Sequence, residues 1–180
     1  MNDGIAWMLI IGTPLLMWVI GSTMKIIKQW EGAVVFRLGV CKGVLKPGLR
    51  MVIPGFDKLV RWDVRMLIND VPGQSVVTKD NISLSIDAVV FYRVRDPMDA
   101  VNKVTNAREM IAMAAQGALR DVIGSLELDT VLQQREMVAD RIRKNLDDAT
   151  DPWGIDVRHI ELTDLQLPHD LTRAMAKEAE

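Results

Sequence analysis

Twenty-one consecutive residues without a charged side chain, from Gly4 to Met24, constrain this chain more than any other feature of its sequence. At 1.5 Å rise per residue, a helix of that length reaches about 31 Å, the thickness of a bilayer's hydrocarbon core. Asp3 ahead of the run, and the lack of a small-residue cleavage site after it, disfavour a cleaved secretory signal. No polar face interrupts the run at helical spacing, which disfavours a buried core helix. The sequence therefore predicts a retained membrane anchor.

The flanks of this segment predict its orientation. Lys25 and Lys28 follow the run and no Lys or Arg precedes it, so the positive-inside tendency places the following domain on the cytoplasmic side of the membrane. Pro14 stands near the centre, where proline bends a helix. Two topologies stay open: a kinked single span, or a shallow hairpin that returns at Pro14. The residues predicted to form the anchor and its interfacial flanks are Trp7, Pro14, Trp18, Lys25, Lys28 and Trp30.

The near-neutral net charge of −2 hides a polarised chain. Residues 25–65 hold nine basic and three acidic side chains, whereas residues 127–180 hold seven basic and thirteen acidic ones. Basic side chains interact favourably with an anionic leaflet, so the basic part is expected to face the membrane; solvated surface charge is the alternative. A pI near 5.7 without aromatic and basic interleaving argues against a nucleic-acid partner.

The sequence offers little for catalysis or metal binding. One cysteine, Cys41, excludes an internal disulfide, and two histidines, His159 and His169, do not suffice for a Cys/His zinc site within one chain. Phosphate-binding loops, nucleophile elbows and zincin helices are absent. The adjacent carboxylates at 147–148 would point about 100° apart on a helix and would not converge. Neither Ser75 nor Ser125, considered as a hydrolase nucleophile, has a base at a recognisable spacing. We therefore predict no catalytic residue, no cofactor and no metal.

The pattern of apolar residues predicts an α+β fold. Period-two alternation indicates a long strand at Ile82–Val94, with Val76–Val77 as a candidate partner strand, and short strands are expected at Ala33–Leu38 and Leu49–Ile53. Helices are predicted from Asn106 to about Gly124 and from Asp129 to about Asp148.

The C-terminal part is expected to return to a strand at Ile155–Leu165 after a break at Asp151–Gly154, with a bulge between Val157 and Ile160. A last helix starts at Pro168 and has no stop signal before Glu180, so we expect the sequence to end inside a longer helix.

Ten short motifs occur in the order typical of one known family. They are Val35–Gly39, Pro47–Leu49, Ile53–Pro54, Asp63–Arg65, Thr78–Asp80, Val90–Val94, Leu146–Thr150, Trp153–Ile155, Leu165–Pro168 and Arg173–Ala176. Each is weak alone, but the ordered set resembles the stomatin-type members of the stomatin/prohibitin/flotillin superfamily, which carry the band-7 or SPFH domain. The apolar segment with its central Pro14 lies where that family has its membrane anchor.

The resemblance implies a domain organisation. Residues 1–29 would form the N-terminal membrane anchor and basic flank, 30–167 a band-7/SPFH domain with an antiparallel sheet packed with helices, and 168–180 the start of a C-terminal coiled-coil-like helix.

It also implies a function. A membrane-anchored, non-enzymatic scaffold would assemble with itself, organise lipid microdomains and modulate membrane proteins. The alternative is an accessory subunit that docks a membrane protease or a channel.

Two helices are candidates for contacts between copies. Leu171 and Met175 share an i, i+4 spacing on the last helix. Opposite charges on the preceding helix could set the register between neighbours, namely Arg135, Asp140, Arg141, Arg143 and Lys144. The alternative is that both helices simply cover the sheet.

Overall fold

The computed structural model describes residues 21–166. The chain divides between Val64 and Arg65 into two compact units. The anchor residues Trp7, Pro14 and Trp18, together with His169, Leu171 and Met175, lie outside the described residues. Within residues 21–166, no helix combines the length and apolarity needed to cross a membrane.

Within residues 21–64, the first unit contains five antiparallel strands. They are β1 (Met24–Ile27), β2 (Glu31–Arg37), β3 (Val40–Leu45), β4 (Gly48–Met51) and β5 (Asp57–Asp63). One sheet has the order β3-β2-β5, and β1 pairs with β4 in a separate two-stranded ribbon. The central strand β2 supplies most of the small core through 33–35, which Ile27 and Val52 extend.

Within residues 65–166, the second unit contains one antiparallel sheet, four α-helices and a short 3-10 helix at Asp151–Trp153. The strands are β6 (Leu67–Val77), β7 (Ser83–Val94) and β8 (Ile155–Gln166), in the order β6-β7-β8. The helices are α1 (Pro97–Lys103), α2 (Ala107–Gly124), α3 (Leu128–Gln133) and α4 (Arg135–Thr150). Helix α2 packs on β6, α4 packs on β8, and the two helices contact each other.

The core of the second unit lies between one face of β7 and these helices. Alternate β7 residues from Leu84 to Val94 are buried, as period-two alternation requires of a sheet covered on one side. The helices contribute fully buried aliphatic side chains to the same core, including Ile111, Leu119, Ile142 and Leu146.

Most of the predicted elements of the second unit are confirmed. The long strand starts at Ser83, one residue later than predicted, and Val76–Val77 forms the end of its partner β6. The helix predicted from Asn106 runs from Ala107 to Gly124; Asn106 occupies the N-cap position, but its side chain makes no capping hydrogen bond. The predicted bulge in β8 is present, because Tyr92 pairs with Val157 while Phe91 pairs with His159, which leaves one residue over.

The prediction of a single helix at Asp129–Asp148 is wrong. It is two helices, α3 and α4, separated at Gln134, whose φ of −120° and ψ of 49° are not helical. The amide of Gln134 donates to Thr130 O and ends α3 there. The buried residues Val131, Val138, Ile142 and Leu146 still face the core, as their spacing predicts.

Of the five strands described between residues 21 and 64, the sequence pattern located two. The strand predicted at Ala33–Leu38 runs from Glu31 to Arg37, and Leu38 lies in the following turn with a φ of 51°. The strand predicted at Leu49–Ile53 runs from Gly48 to Met51. Strands β1, β3 and β5 were not predicted, because they are short and largely exposed and so lack a continuous apolar face.

Candidate functional site

The two-stranded ribbon of β1 and β4 exposes large apolar side chains on one side. Met24 pairs with Met51, and Ile26 pairs with Leu49. Directly opposed residues of an antiparallel pair point to the same side, so these four side chains share one face. All four are exposed, and Met51 retains 75% of its accessible surface. We call this surface the apolar ribbon face.

The opposite side of the ribbon differs in chemistry. Lys25 pairs with Arg50 there, and Ile27 is almost fully buried in the core of the first unit. One side of the ribbon therefore anchors it to the protein, and the other presents Met and aliphatic side chains to the surroundings. Burial of this kind of surface is favourable by about 25 cal/mol per Å².

A second exposed group continues from the ribbon. Ile53 lies two residues beyond Met51 and is also exposed, whereas Val52 between them is buried. The amides of Phe56 and Leu38 link the group, since Phe56 N donates to Ile53 O and Leu38 N donates to Phe56 O at 3.0 Å. We call Leu38, Ile53 and Phe56 the turn cluster.

Leu38 occupies a position that a soluble protein rarely gives to leucine. With Gly39 it forms the two-residue turn between β2 and β3, where both residues have positive φ. Such turns favour Asn-Gly or Asp-Gly, because a branched side chain is strained in the left-handed region. Leu38 is nevertheless 74% exposed. Leu38 is therefore an apolar side chain that is exposed to solvent from a strained backbone position.

An ion pair holds the turn cluster in place. Arg37 Nε donates to Asp57 Oδ1 at 2.6 Å, and Arg37 Nη2 donates to Asp57 Oδ2 at 2.9 Å. The amide of Ile53 donates to the same carboxylate at 3.0 Å. The hydrogen bond from Arg37, followed by that from the Ile53 amide, lowers the pKa of Asp57 to about 2. These hydrogen bonds to Asp57 therefore fix the backbone from which the side chains of Ile53 and Phe56 project.

Positive charge accompanies the apolar surface. Residues 21–64 carry eight Lys or Arg side chains against three acids. The Nζ of Lys28 lies 5.4 Å from the centroid of the Trp30 ring, in a cation–π contact. Lys25 lies in β1, on the side of the ribbon opposite the apolar ribbon face. Apolar side chains with nearby basic ones are typical of surfaces that rest on anionic lipid.

The five charged residues proposed as oligomer contacts do not share one surface of α4. Arg135 and Asp140 line a groove between α4 and β8. Arg141 and Lys144 line another groove, between α2 and α4. Arg143 lies 3.5 Å from Asp140 within the same helix, so these two side chains already pair with each other. Contacts between copies through these residues remain a prediction.

The serine and histidine residues that were considered as catalytic candidates make structural contacts. Ser125 Oγ donates to Val122 O at 2.6 Å at the end of α2, and Ser75 pairs with Ser85 across the sheet. The ring of His159 lies 5.8 Å from that of Phe91. Among residues 21–166, no three His, Cys, Asp or Glu side chains come together in a way that could hold a metal ion.

Comparison with known proteins decides the family. The family model described as "SPFH domain / Band 7 family" matches residues 25–180. The chain belongs to the SPFH/Band 7 family. Its relatives include a stomatin homolog of Pyrococcus abyssi, 44% identical over 161 residues that cover 89% of this chain and 60% of that protein. Mouse stomatin is 42% identical over 173 residues, covering 95% and 60% respectively.

Relatives of several sizes share this similarity. An uncharacterised protein of Methanocaldococcus jannaschii is 39% identical over 177 residues, and the match covers 88% of that protein's length. The chain spans about 60% of the length of the two stomatin relatives. The predicted resemblance to stomatin-like SPFH proteins is therefore confirmed, and so is the α+β domain of antiparallel sheets packed with helices.

In the second unit, side chains of two of the SPFH motifs noted in the sequence make hydrogen bonds that hold the fold together. In the motif Leu146–Thr150, Asp147 Oδ1 accepts a hydrogen bond from Val157 N at 3.0 Å, and the buried Thr150 hydroxyl lies 3.4 Å from Ile155 O. In Thr78–Asp80, the Asp80 carboxylate accepts from the first amide of α3.

The apolar ribbon face, by contrast, was not predicted from the sequence. Met24 was counted with the uncharged run, and Leu49 with a separate strand. The signal that could have found it is the alternation of Met24 and Ile26 with Lys25, matched by Leu49 and Met51 with Arg50.

Proposed function

We propose that this SPFH protein is a membrane-associated, non-enzymatic scaffold whose first unit rests in the interface of an anionic leaflet. The observation that carries the proposal is the set of seven exposed apolar side chains in the apolar ribbon face and the turn cluster, each 45% to 75% exposed. The cytoplasmic orientation and a membrane anchor in the uncharged run, with Pro14 near its centre, belong to the same proposal. The run was predicted to extend to Met24, but Met24 is the first residue of β1, so the anchor would end before it.

The size of the apolar surface suits this role. Full transfer of a Val, Leu, Ile, Phe or Met side chain out of water is worth about 1.5–3 kcal/mol. Half-transfer of seven such side chains would contribute about 5–10 kcal/mol, to which each nearby Lys or Arg adds up to about 1 kcal/mol. A single myristoyl chain binds membranes with an association constant of only about 10⁴ M⁻¹. The first unit would thus hold to the bilayer with strength comparable to, or above, one acyl chain.

Attachment in a plane supports the scaffold role. Copies held on one surface meet at a raised effective concentration, so weak lateral contacts suffice for assembly. Homo-oligomers, microdomain organisation and modulation of membrane proteins are the functions expected of such a layer.

Cross-linking tests the scaffold proposal under two kinds of dilution: dilution of the vesicles with buffer, and dilution of the protein within the membrane with added lipid. The full chain is reconstituted in phosphatidylcholine/phosphatidylserine vesicles and treated with a lysine-reactive cross-linker. We expect a ladder of multimers that persists when buffer is added, because the density of protein on the membrane is unchanged. The ladder should shorten when empty vesicles are fused with the sample. A ladder that follows bulk concentration, or monomer alone, would contradict the proposal.

A second candidate function is that of an accessory subunit that docks a membrane protease or a channel. The specific observation that favours it is the open groove between α4 and β8 in the second unit. Co-purification of a stoichiometric membrane protein with the detergent-extracted chain would distinguish this function from that of a lipid scaffold.

A further inference from the structure

A groove of about 410 Å³ runs between α4 and β8. Glu136, Ala139 and Asp140 of α4 form one wall, and the four consecutive residues 159–162 of β8 form the other. Successive side chains of a strand point to opposite faces of the sheet. A groove that touches four in a row therefore follows the backbone edge of β8, where amide and carbonyl groups are presented.

That edge is open along the groove and closed at one end. Strand β7 pairs with one side of β8, and no strand within residues 21–166 pairs with the other side. At Val157 the outward amide is occupied, because it donates to Asp147 Oδ1 at 3.0 Å. Beyond that point the register with β7 is regular from His159 to Leu162 and shifts on both sides of this segment. Residues 159–162 are thus a short, regular stretch of free sheet edge.

The other edge of the same sheet is protected. Strand β6 carries Pro72, which has no amide hydrogen, and its register with β7 shifts between Val71 and Gln74. Proline and bulges are the devices by which proteins prevent edge-to-edge pairing. Residues 159–162 contain neither proline nor a shift in register. Strand β8 is interrupted as well, by a shift at each end of this segment, so residues 159–162 are the stretch of its edge that could accept another strand.

The charges around the groove select the kind of strand. Glu136 and Asp140 lie on the helix wall and Glu161 on the strand wall, with Arg135 as the single cation among the lining residues. Asp140 is only loosely paired, at 3.5 Å from Arg143. With the histidine neutral, the lining has a net charge of −2. Such a rim favours basic side chains on the occupant.

We propose that this groove binds an extended, basic segment of a partner protein, which adds to the β8 edge as a fourth strand of the sheet. Main-chain hydrogen bonds to residues 159–162 would give affinity, and Lys or Arg side chains near Glu136 and Glu161 would give specificity. At about 3.3 Å per residue, the four-residue edge spans about 13 Å, so the segment in contact is about four residues long. The inference does not depend on lipid binding by the first unit.

The test uses the full chain in neutral detergent and a defined probe. The probe is a fluorescein-labelled eight-residue peptide of alternating threonine and lysine, and its affinity is measured by fluorescence polarisation. Two variants of the peptide carry N-methyl groups on alternate backbone amides, in the two possible phases. We expect the lysine peptide to bind at least tenfold more tightly than its glutamate counterpart. One phase of N-methylation should weaken binding at least tenfold, and the other should have much less effect, because only one set of amides faces the strand.

Matched protein variants localise the site. Glu136→Lys combined with Glu161→Lys should raise the Kd at least tenfold. Asp70→Lys combined with Glu109→Lys makes the same change of charge away from the groove and should leave the Kd within twofold. All four side chains are exposed, so the folds should survive, and far-UV circular dichroism verifies this.

Three results would overturn the proposal. The first is no binding of the lysine peptide at millimolar concentration. The second is an equal effect of both N-methylation phases or of both protein variants, which would indicate attraction by net charge alone. The third is loss of cross-linked multimers, with unchanged peptide binding, in the Glu136→Lys/Glu161→Lys protein, which would assign the groove to a second copy of the chain. Failure of vesicle attachment would leave these measurements unaffected, because they contain no lipid vesicles.

Discussion

The double substitution Leu49→Glu/Met51→Glu should lift the first unit out of the membrane interface without unfolding it. Both side chains are exposed in the free protein, so we expect the free energy of unfolding to change by less than about 0.5 kcal/mol. Loss of two half-inserted apolar side chains removes about 2 kcal/mol of membrane affinity. Two carboxylates facing an anionic leaflet cost about 2 kcal/mol more. The sum of about 4 kcal/mol corresponds to about a thousandfold shift toward the released state of this surface.

The assay reads lipid contact at a neighbouring position. Ile53→Cys, in a Cys41→Ser background, carries a bimane whose fluorescence is quenched by doxyl-labelled lipid in phosphatidylserine-containing vesicles. Quenching should fall to the level measured with the same bimane in vesicles that contain no doxyl-labelled lipid. The conservative pair Leu49→Ile/Met51→Leu should retain quenching. Unchanged quenching with the glutamate pair would refute the reasoning.

Four further predictions concern stability. Gly154→Ala should lower the free energy of unfolding by about 1–3 kcal/mol, because φ is +71° and the new Cβ would lie 2.7 Å from a backbone carbonyl oxygen. Gly117→Ala, in open space within α2, should instead raise it by about 0.5–1 kcal/mol in the same urea titration. Asp147→Ala leaves a part-buried amide of β8 unpaired and should cost about 1–3 kcal/mol, whereas Asp148→Ala should cost under about 0.5 kcal/mol. Asp57→Asn should lower the melting temperature at pH 7. Because the pKa of Asp57 is lowered from 3.8 to about 2, its stabilisation is present above about pH 4 and is lost toward about pH 2, so the two melting curves should converge over that range.

Period and capping signals predicted much of the second unit. Thirteen residues of alternation located β7, and Asn106 located the start of α2 to within one residue. These elements were predictable because each buries one continuous face, which leaves a local signature in the sequence. The break at Gln134 was not, since apolar spacing continues across it on both helices.

The surfaces proposed for function depend on pairing between distant residues. Met24 meets Met51, and Asp147 meets Val157, only after the chain has folded. Local alternation marks a two-sided segment but does not say which strand pairs with it, so Met24 was assigned to the anchor run. Asp147 was considered only as a motif residue and as one of two adjacent carboxylates. The sequence thus predicted membrane association and family, while the apolar ribbon face and the α4/β8 groove required the structure.

The most direct measurement of the central claim is a spin-label accessibility scan across the ribbon in vesicles. Single cysteines at Met24, Ile26, Leu49 and Met51, in a Cys41→Ser background, carry the label on the apolar ribbon face, and labels at Lys25 and Arg50 report the opposite side. We predict that the first four labels are accessible to membrane-dissolved oxygen and shielded from a water-soluble nickel complex, with the reverse at the other two. Six labels equally accessible to the nickel complex would contradict the account.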